Sequence, residues 1–281
     1  MTQIKIKSYA KLNLALNIVG KTSSLHKIES IVAFVSLHDE IFIKKIKSKS
    51  HNILFSGQFS QNINKNNTVT KLLKILEEKK LLKDKKFKIK INKKIPNKAG
   101  LGGGSMNAAS VLKYFAKKKI INTNRHNLES ICRLIGSDVV LGLNSNHSIL
   151  YSRNKIKYFS KIKRFYVLIV KPNFGCSTKY IYSKVKKIQK AKLKKPTKRM
   201  FNFDYLKKMN NSLELIAISK YYKLRSIKLF LENLSKTVFV RMTGSGSAFV
   251  AYFQSKEECD NAKKEFNKKH KNYWCISSKT I

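Results

Sequence analysis

The chain has 281 residues; 42% are hydrophobic, and 60 lysines and arginines against 15 acidic residues give a formal net charge of +45. This apolar fraction excludes a chain disordered by composition, and the length suits one large domain or two small ones. The basic residues are spread along the whole chain and are nearly all lysine, so we expect no specific nucleic-acid partner.

Membrane and metal classes are also disfavoured. No apolar run approaches the roughly 20 residues of a membrane span, and polar residues interrupt the N-terminal segment, so we expect a cytoplasmic protein without a signal peptide or membrane partner. The four cysteines and six histidines are scattered without metal-ligand spacing. We therefore expect no disulfide framework and no metal site built from these residues.

The first half of the chain mixes strands and helices. Alternating apolar residues predict strands over residues 4–6, 12–18, 28–36, 40–46 and 87–91. Helical spacing predicts helices over residues 68–82, 105–117 and 125–135, with Ser105 as the cap of the second and Gly136 closing the third.

The second half continues the mixture, so the fold class is α+β. Strands are predicted over residues 166–170, 238–242, 248–253 and 273–277. Helices are predicted after Ser177, over residues 204–219 and 224–233, and from Lys256. Residues 184–199, with nine basic residues and no acid, predict an exposed loop. A polar stretch around residues 152–163 is the expected domain boundary.

Four glycines lie within residues 100–104, between a predicted strand and a predicted helix. Glycine allows close backbone approach to a ligand, and a helix N-terminus offers unpaired N–H groups at a positive dipole end, so this loop predicts a phosphate site. The Walker spacing is absent, and Ser105 stands where the dinucleotide fingerprint needs its third glycine. A glycine-rich loop without a ligand is the alternative.

Residues 96–109 resemble the ATP-phosphate loop of the GHMP small-molecule kinases. Further segments are similar to that family in order and spacing: residues 10–14, His26, and residues 67–69, 136–139, 177–182, 211–214 and 241–253. The resemblance implies a two-domain GHMP kinase fold. A ribosomal-protein-S5-domain-2-like, ATP-binding domain would span residues 1–160, and a ferredoxin-like, substrate-binding domain residues 161–281.

The resemblance also implies site residues. The reaction would be ATP-dependent phosphorylation of the 2-hydroxyl of a cytidylated polyol, with Asp138 as general base and Lys11 neutralising negative charge. The implied ATP-binding residues are Asn67, Pro96, Asn97, Lys98, Ala99, Gly100, Leu101, Gly102, Gly103, Gly104, Ser105 and Asn107. The implied substrate-binding residues are Asn13, His26, Thr178, Tyr182, Thr243, Gly244, Ser245 and Gly246. Mg²⁺ is expected with the nucleotide, without assigned ligands, and the chain would be a monomer or homodimer.

Some alternatives stay open. Without the resemblance, Asp138 could equally be a helix cap, Lys11 a surface lysine and residues 243–247 a hairpin turn. Leu25 stands where the family has an aromatic residue, which should cost about 1 kcal/mol of base stacking, and Val140 replaces a proline. Another GHMP kinase and an RNA-associated basic protein are the competing functions.

Overall fold

The structure is a computed structural model that describes residues 3–22, 26–152 and 155–281. The chain forms two compact units, each of mixed strands and helices. The first contains Met1–Ala10, Leu37–Asn97 and Gly102–Ser145, and the second contains Lys11–Ser36, Lys98–Leu101 and Asn146–Ile281. Each unit combines segments that are separated in the sequence. The predicted division into domains of residues 1–160 and 161–281 stays a prediction.

Two long strands open the chain, β1 (Ile4–Lys21) and β2 (His26–Ile46). Each merges two of the shorter predicted strands into one. Between the predicted pieces, polar residues such as Ser8, Lys11 and Asp39 are buried, so the alternation of apolar residues that marks a strand in the sequence is lost there. Among the described residues, no helix is both long and apolar enough to cross a membrane.

The sheet of the first unit is built on β4. Strand β4 (Lys86–Asn92) lies between β3 (Asn52–Ser56), which is parallel to it, and the second half of β2, which is antiparallel. The unit also contains helices α1 (Thr68–Glu78), α2 (Gly103–Lys117) and α3 (Arg125–Ile135) and a 3-10 helix, Val139–Leu143. Phe87 of β4 contacts Phe115 of α2, with ring centroids 4.7 Å apart.

The second unit contains strands of two sheets. The first half of β2 pairs with β5 (His147–Tyr151), which pairs with β6 (Lys155–Phe159), both antiparallel. The other sheet has the order β10–β7–β9–β8 and is fully antiparallel. Its strands are β7 (Tyr166–Lys171), β8 (Phe239–Met242), β9 (Phe249–Phe253) and β10 (Trp274–Lys279).

Five helices complete the second unit: α4 (Thr178–Ser183), α5 (Phe203–Lys207), α6 (Glu214–Lys220), α7 (Lys223–Glu232) and α8 (Lys256–Lys269). A further 3-10 helix covers Lys198–Phe201. Apolar side chains of β7, β9 and α8, including Leu168, Phe249 and Phe266, form one buried cluster. Burying these side chains is what holds α8 on this sheet.

Several predicted boundaries were wrong. The first helix ends at Glu78 instead of residue 82, because Lys80, Lys83 and Asp84 adopt positive φ angles that no α-helix contains. Strands β3, β5 and β6 were not predicted.

The predicted helix over residues 204–219 is two helices, α5 and α6. Asn211, in the segment between them, hydrogen-bonds through its side chain to the carbonyls of Met242 and Gly244. These bonds hold the segment in a non-helical conformation. The helix is therefore interrupted there, although the spacing of apolar residues continues.

The basic stretch of residues 184–199 is a loop up to Thr197, as predicted, and its lysines are exposed. The loop is nevertheless anchored. Leu193 is fully buried, and the buried carboxylate of Glu29 accepts the N–H groups of Lys192 and Leu193 at 2.8 and 3.1 Å.

Candidate active site

The glycine loop leads into the start of α2. Gly102 is the N-cap, with φ of 69°, and its carbonyl accepts the N–H of Met106 at 2.9 Å. The prediction that Ser105 is the cap was therefore wrong. Ser105 lies inside the first turn of α2. Because a glycine N-cap has no side chain to accept the first N–H groups of the helix, these groups can bind an anion. The phosphate site itself stays a prediction.

Two of the loop glycines lie where a side chain would not fit comfortably. A Cβ atom on Gly103 would lie 3.1 Å from Nζ of Lys93, and one on Gly104 would lie 3.3 Å from Oγ1 of Thr68. The Thr68 hydroxyl donates to the carbonyl of Gly104 at 2.6 Å. Asn67 caps α1 by accepting the N–H groups of residues 69 and 70. The structure thus brings residues 67–69 next to the glycine loop, while the contact of Asn67 with ATP stays a prediction.

Asp39 of β2, which the sequence analysis missed, holds both ends of this loop. Its buried carboxylate accepts the Lys93 ammonium and the N–H groups of Lys94 and Ile95, the latter two at 2.8 Å. It also accepts Nδ2 of Asn107 in α2 at 2.9 Å. One feature of the sequence could have identified Asp39: it is an aspartate inside a predicted strand, in a chain with only 15 acidic residues against 60 basic ones. A carboxylate buried in a strand needs charged or hydrogen-bonding partners, so it marks a point where other segments meet.

Asn107 was predicted to bind ATP. Its amide nitrogen is used by Asp39, and its Oδ1 is buried without a hydrogen-bond partner in the described ranges. The side chain therefore ties α2 to β2. A contact of Asn107 with ATP stays a prediction.

Asp138 lies two residues after the Gly136 that ends α3, as predicted. It is the N-cap residue of the 3-10 helix Val139–Leu143, but its carboxylate makes no capping hydrogen bond. The helix-cap interpretation of its side chain therefore has no support. Within this 3-10 helix, a Cβ atom on Gly142 would lie 2.5 Å from Cβ of Ala109 in α2. Only glycine permits this approach, which fixes the Asp138 segment against the helix that follows the glycine loop.

Lys11 is buried in β1 and is not a surface lysine; 3% of its area is exposed. Its ammonium donates to Oδ1 of Asn13 at 2.5 Å, and Nδ2 of Asn13 donates to the Ser30 hydroxyl at 2.8 Å. The two side chains lie on one face of the strand, as the spacing predicted. Lys11 belongs to the second unit and Asp138 to the first, and their pairing stays a prediction.

Residues 98–101 of the glycine loop belong to the second unit, where they lie along the turn that joins β8 to β9. Gly100 has φ of +75°, and a Cβ atom there would lie 1.9 Å from the carbonyl oxygen of Thr243. Three backbone hydrogen bonds hold the segment: Ser247 N to Lys98 O at 3.3 Å, Ala248 N to Ala99 O at 3.2 Å, and Lys11 N to Leu101 O at 3.0 Å. The turn does connect a hairpin, and it also supports part of the glycine loop.

The other predicted substrate residues cluster near this turn. The hydroxyl groups of Thr178 and Ser245 are 2.8 Å apart. Gly244 and Gly246 have φ of 54° and 81°, which favours glycine at both. Asn211 holds the turn by donating to the carbonyls of Met242 and Gly244, both at 2.8 Å.

His26 and Tyr182, both implied to bind the substrate, lie next to each other, with ring centroids 5.3 Å apart; their contact with a base stays a prediction. Nε2 of His26 is buried, and no partner for it lies within the residues that the structure describes. Burial, and then the positive charge of Lys21, lower the pKa of His26, so the imidazole is neutral at pH 7 and keeps one acceptor nitrogen. Leu25, predicted to weaken base stacking, lies outside the described residues.

The described side chains do not form a metal site built from protein ligands alone. Across residues 3–22, 26–152 and 155–281, no group of three or more His, Cys, Asp or Glu side chains could hold a metal ion.

The chain is similar to known kinases over its full length. Residues 67–149 match the model of the GHMP kinases N terminal domain. A 4-diphosphocytidyl-2-C-methyl-D-erythritol kinase of Pelagibacter ubique (strain HTCC1062) is 53% identical over 281 residues, which are 100% of both chains. A protein of the same name from Clostridium tetani (strain Massachusetts / E88) is 32% identical over 288 residues, covering 99% of this chain and all of the relative.

The fold agrees with these relatives. A crystal structure of 4-(cytidine 5'-diphospho)-2C-methyl-D-erythritol kinase superposes with a TM-score of 0.78 at 21% identity, covering 99% of this chain and 100% of the other. The predicted α+β class and GHMP kinase fold are therefore confirmed. The chain belongs to the 4-diphosphocytidyl-2-C-methyl-D-erythritol kinase family, within the GHMP kinases.

Proposed function

We propose that this chain transfers the γ-phosphate of ATP to the 2-hydroxyl of 4-diphosphocytidyl-2-C-methyl-D-erythritol, a step of the non-mevalonate route to isoprenoid precursors. The observation that carries the proposal is 53% identity along the entire length of a relative with this name. The glycine loop at an N-terminus without a capping side chain supports it, since phosphoryl transfer depends on positioning and charge stabilisation.

In this proposal the N–H groups at the start of α2 bind the β- and γ-phosphates. Asp138, which follows the glycine turn at the end of α3, accepts the proton of the 2-hydroxyl, as the resemblance to the family implies. Lys11 supplies positive charge to the phosphoryl group in the transition state. It lies buried, where a charge interacts more strongly than it would in water.

The cytidine of the substrate would bind at His26 and Tyr182. The Tyr182 ring would stack on one face of the base. Nε2 of His26, for which the described part of the chain provides no partner, would hydrogen-bond its edge. The weaker stacking expected from Leu25 should raise KM without abolishing turnover.

Mg²⁺ would enter with ATP and neutralise charge on its phosphates. The described side chains provide no carboxylate cluster for this ion, so most of its ligands would be phosphate oxygens and water. We propose that the protein is a monomer or a homodimer. We also propose that it has no specific nucleic-acid partner, because its basic residues are spread along the whole chain.

The deciding experiment measures ADP release with the cytidylated alcohol, its uncytidylated parent, homoserine and mevalonate. We expect turnover with the cytidylated substrate and at least tenfold lower kcat/KM with the others. Preference for another alcohol would indicate a different GHMP kinase. Salt-resistant RNA binding without ADP release would favour the RNA-associated alternative.

A further inference from the structure

The hydroxyl of Thr243 joins two parts of the candidate site within the second unit. It accepts the N–H of Asn13 in β1 at 3.0 Å and donates to the carbonyl oxygen of Gly100 at 3.2 Å. The residue has no exposed surface. Both partners are predicted site residues, one for the substrate and one for ATP.

These two bonds use most of what a hydroxyl offers. A threonine hydroxyl has one proton and two lone pairs; the proton is given to Gly100 and one lone pair is used by Asn13. Since the proton of this hydroxyl is already donated and one lone pair is already used, direct binding of substrate through it is disfavoured.

The position of Thr243 is itself fixed by the surrounding backbone. Its N–H donates to Ala248 O at 3.1 Å, and its carbonyl accepts Gly246 N at 3.0 Å. The hydroxyl is therefore carried on a turn whose backbone is hydrogen-bonded on both sides of Thr243. A second tie between β1 and the glycine loop, Lys11 N to Leu101 O at 3.0 Å, lies beside it.

We propose that Thr243 is a positioning residue for phosphoryl transfer. Its hydroxyl sets the register between the strand that carries Lys11 and Asn13 and the glycine-loop segment at Gly100. This inference rests on the proposed function and adds a role to it. Misplacement of reacting groups by about 1 Å can reduce a rate about 100-fold, so the loss of this tie should appear mainly in kcat.

The test compares Thr243→Val with Thr243→Ser. Valine keeps the shape and removes the hydroxyl, whereas serine keeps the hydroxyl. Thr280→Val is the matched control, because Thr280 is also fully buried and its hydroxyl accepts a backbone N–H, that of Phe165 at 2.9 Å. For each variant, kcat, the KM of both substrates and Tm are measured.

We expect Thr243→Val to lower kcat about 10- to 100-fold, with both KM values within about threefold of wild type. Thr243→Ser should stay within about threefold in kcat, and Thr280→Val should lose Tm but not kcat. If the valine variant does not fold, Thr243→Ala against Thr243→Ser makes the same comparison, because both lack the methyl group.

A wild-type kcat in Thr243→Val or Thr243→Ala overturns the inference. So does a rise in the KM of the cytidylated substrate alone, which would make Thr243 a binding residue. Failure of the wild-type protein to phosphorylate the cytidylated alcohol would instead overturn the proposed function, so the two failures are distinguishable.

Discussion

Replacement of Gly100 by alanine should damage both stability and activity. The residue has φ of +75°, and the added Cβ would lie 1.9 Å from the carbonyl oxygen of Thr243. To restore ordinary contact, the loop or the turn must move by about 1.5 Å, since van der Waals separation begins near 3.4 Å.

The magnitude follows from two contributions. The left-handed conformation costs a residue with a Cβ atom about 1–2 kcal/mol, and overpacking adds about 1–3 kcal/mol. Together they predict a loss of about 2–5 kcal/mol in the free energy of unfolding. A shift of this size next to the Thr243 hydroxyl should also lower kcat about 100-fold or more.

The measurements are ADP release and urea unfolding of Gly100→Ala beside Gly20→Ala. Gly20 is the matched control, because its φ is not in the left-handed region and the nearest atom to an added Cβ would be Cδ of the flexible Lys27 side chain, at 3.1 Å. We expect Gly20→Ala to stay within about twofold of wild-type kcat. A Gly100→Ala protein with wild-type kcat and a stability loss below about 1 kcal/mol would refute the reasoning.

Three further predictions address single side chains. Asp138→Asn should lower kcat about 100-fold or more while ATP binding, measured by calorimetry, persists; a near-normal kcat would exclude Asp138 as the general base. Asp39→Asn should lower the free energy of unfolding by about 3–5 kcal/mol in urea, because it breaks the buried pair with Lys93; a loss below about 1 kcal/mol would contradict this. Burial lowers the pKa of His147 to about 4. The unfolded chain therefore binds a proton first as pH falls below about 6.5, and stability should fall between pH 6.5 and 4 by up to about 3 kcal/mol. His147→Phe should remove this part of the acid sensitivity, and an unchanged pH profile of Tm would show that other groups cause it.

Elements with local signals at both ends could be predicted from the sequence. The prediction of α3 is confirmed from Arg125 to Ile135, where Asn124 accepts the N–H of Asn127 at one end and Gly136 follows the other. The start of α2 was predicted incorrectly, because a glycine N-cap has no side-chain signal and Ser105 was the first capping residue type in the segment.

Features that depend on residues distant in sequence could not be predicted in this way. Asp39 meets Lys93 and Asn107 across 54 and 68 positions, and Thr243 meets Asn13 across 230. Periodicity and capping describe neighbours within a few residues. Asn107 and Thr243 were identified as site residues only through the resemblance to the GHMP kinases, which gave no partner for either.

The glycine run that dominates the sequence satisfies two separate physical requirements. Gly100 belongs to the unit that contains Thr243, and its missing side chain allows the backbone to lie against that residue. Gly102, Gly103 and Gly104 belong to the unit that contains α2, where they form a helix start without a capping side chain. A phosphate site alone requires only the second group. The first glycine is needed because the loop is also packed against the turn at Thr243, where a Cβ atom would lie 1.9 Å from a carbonyl oxygen.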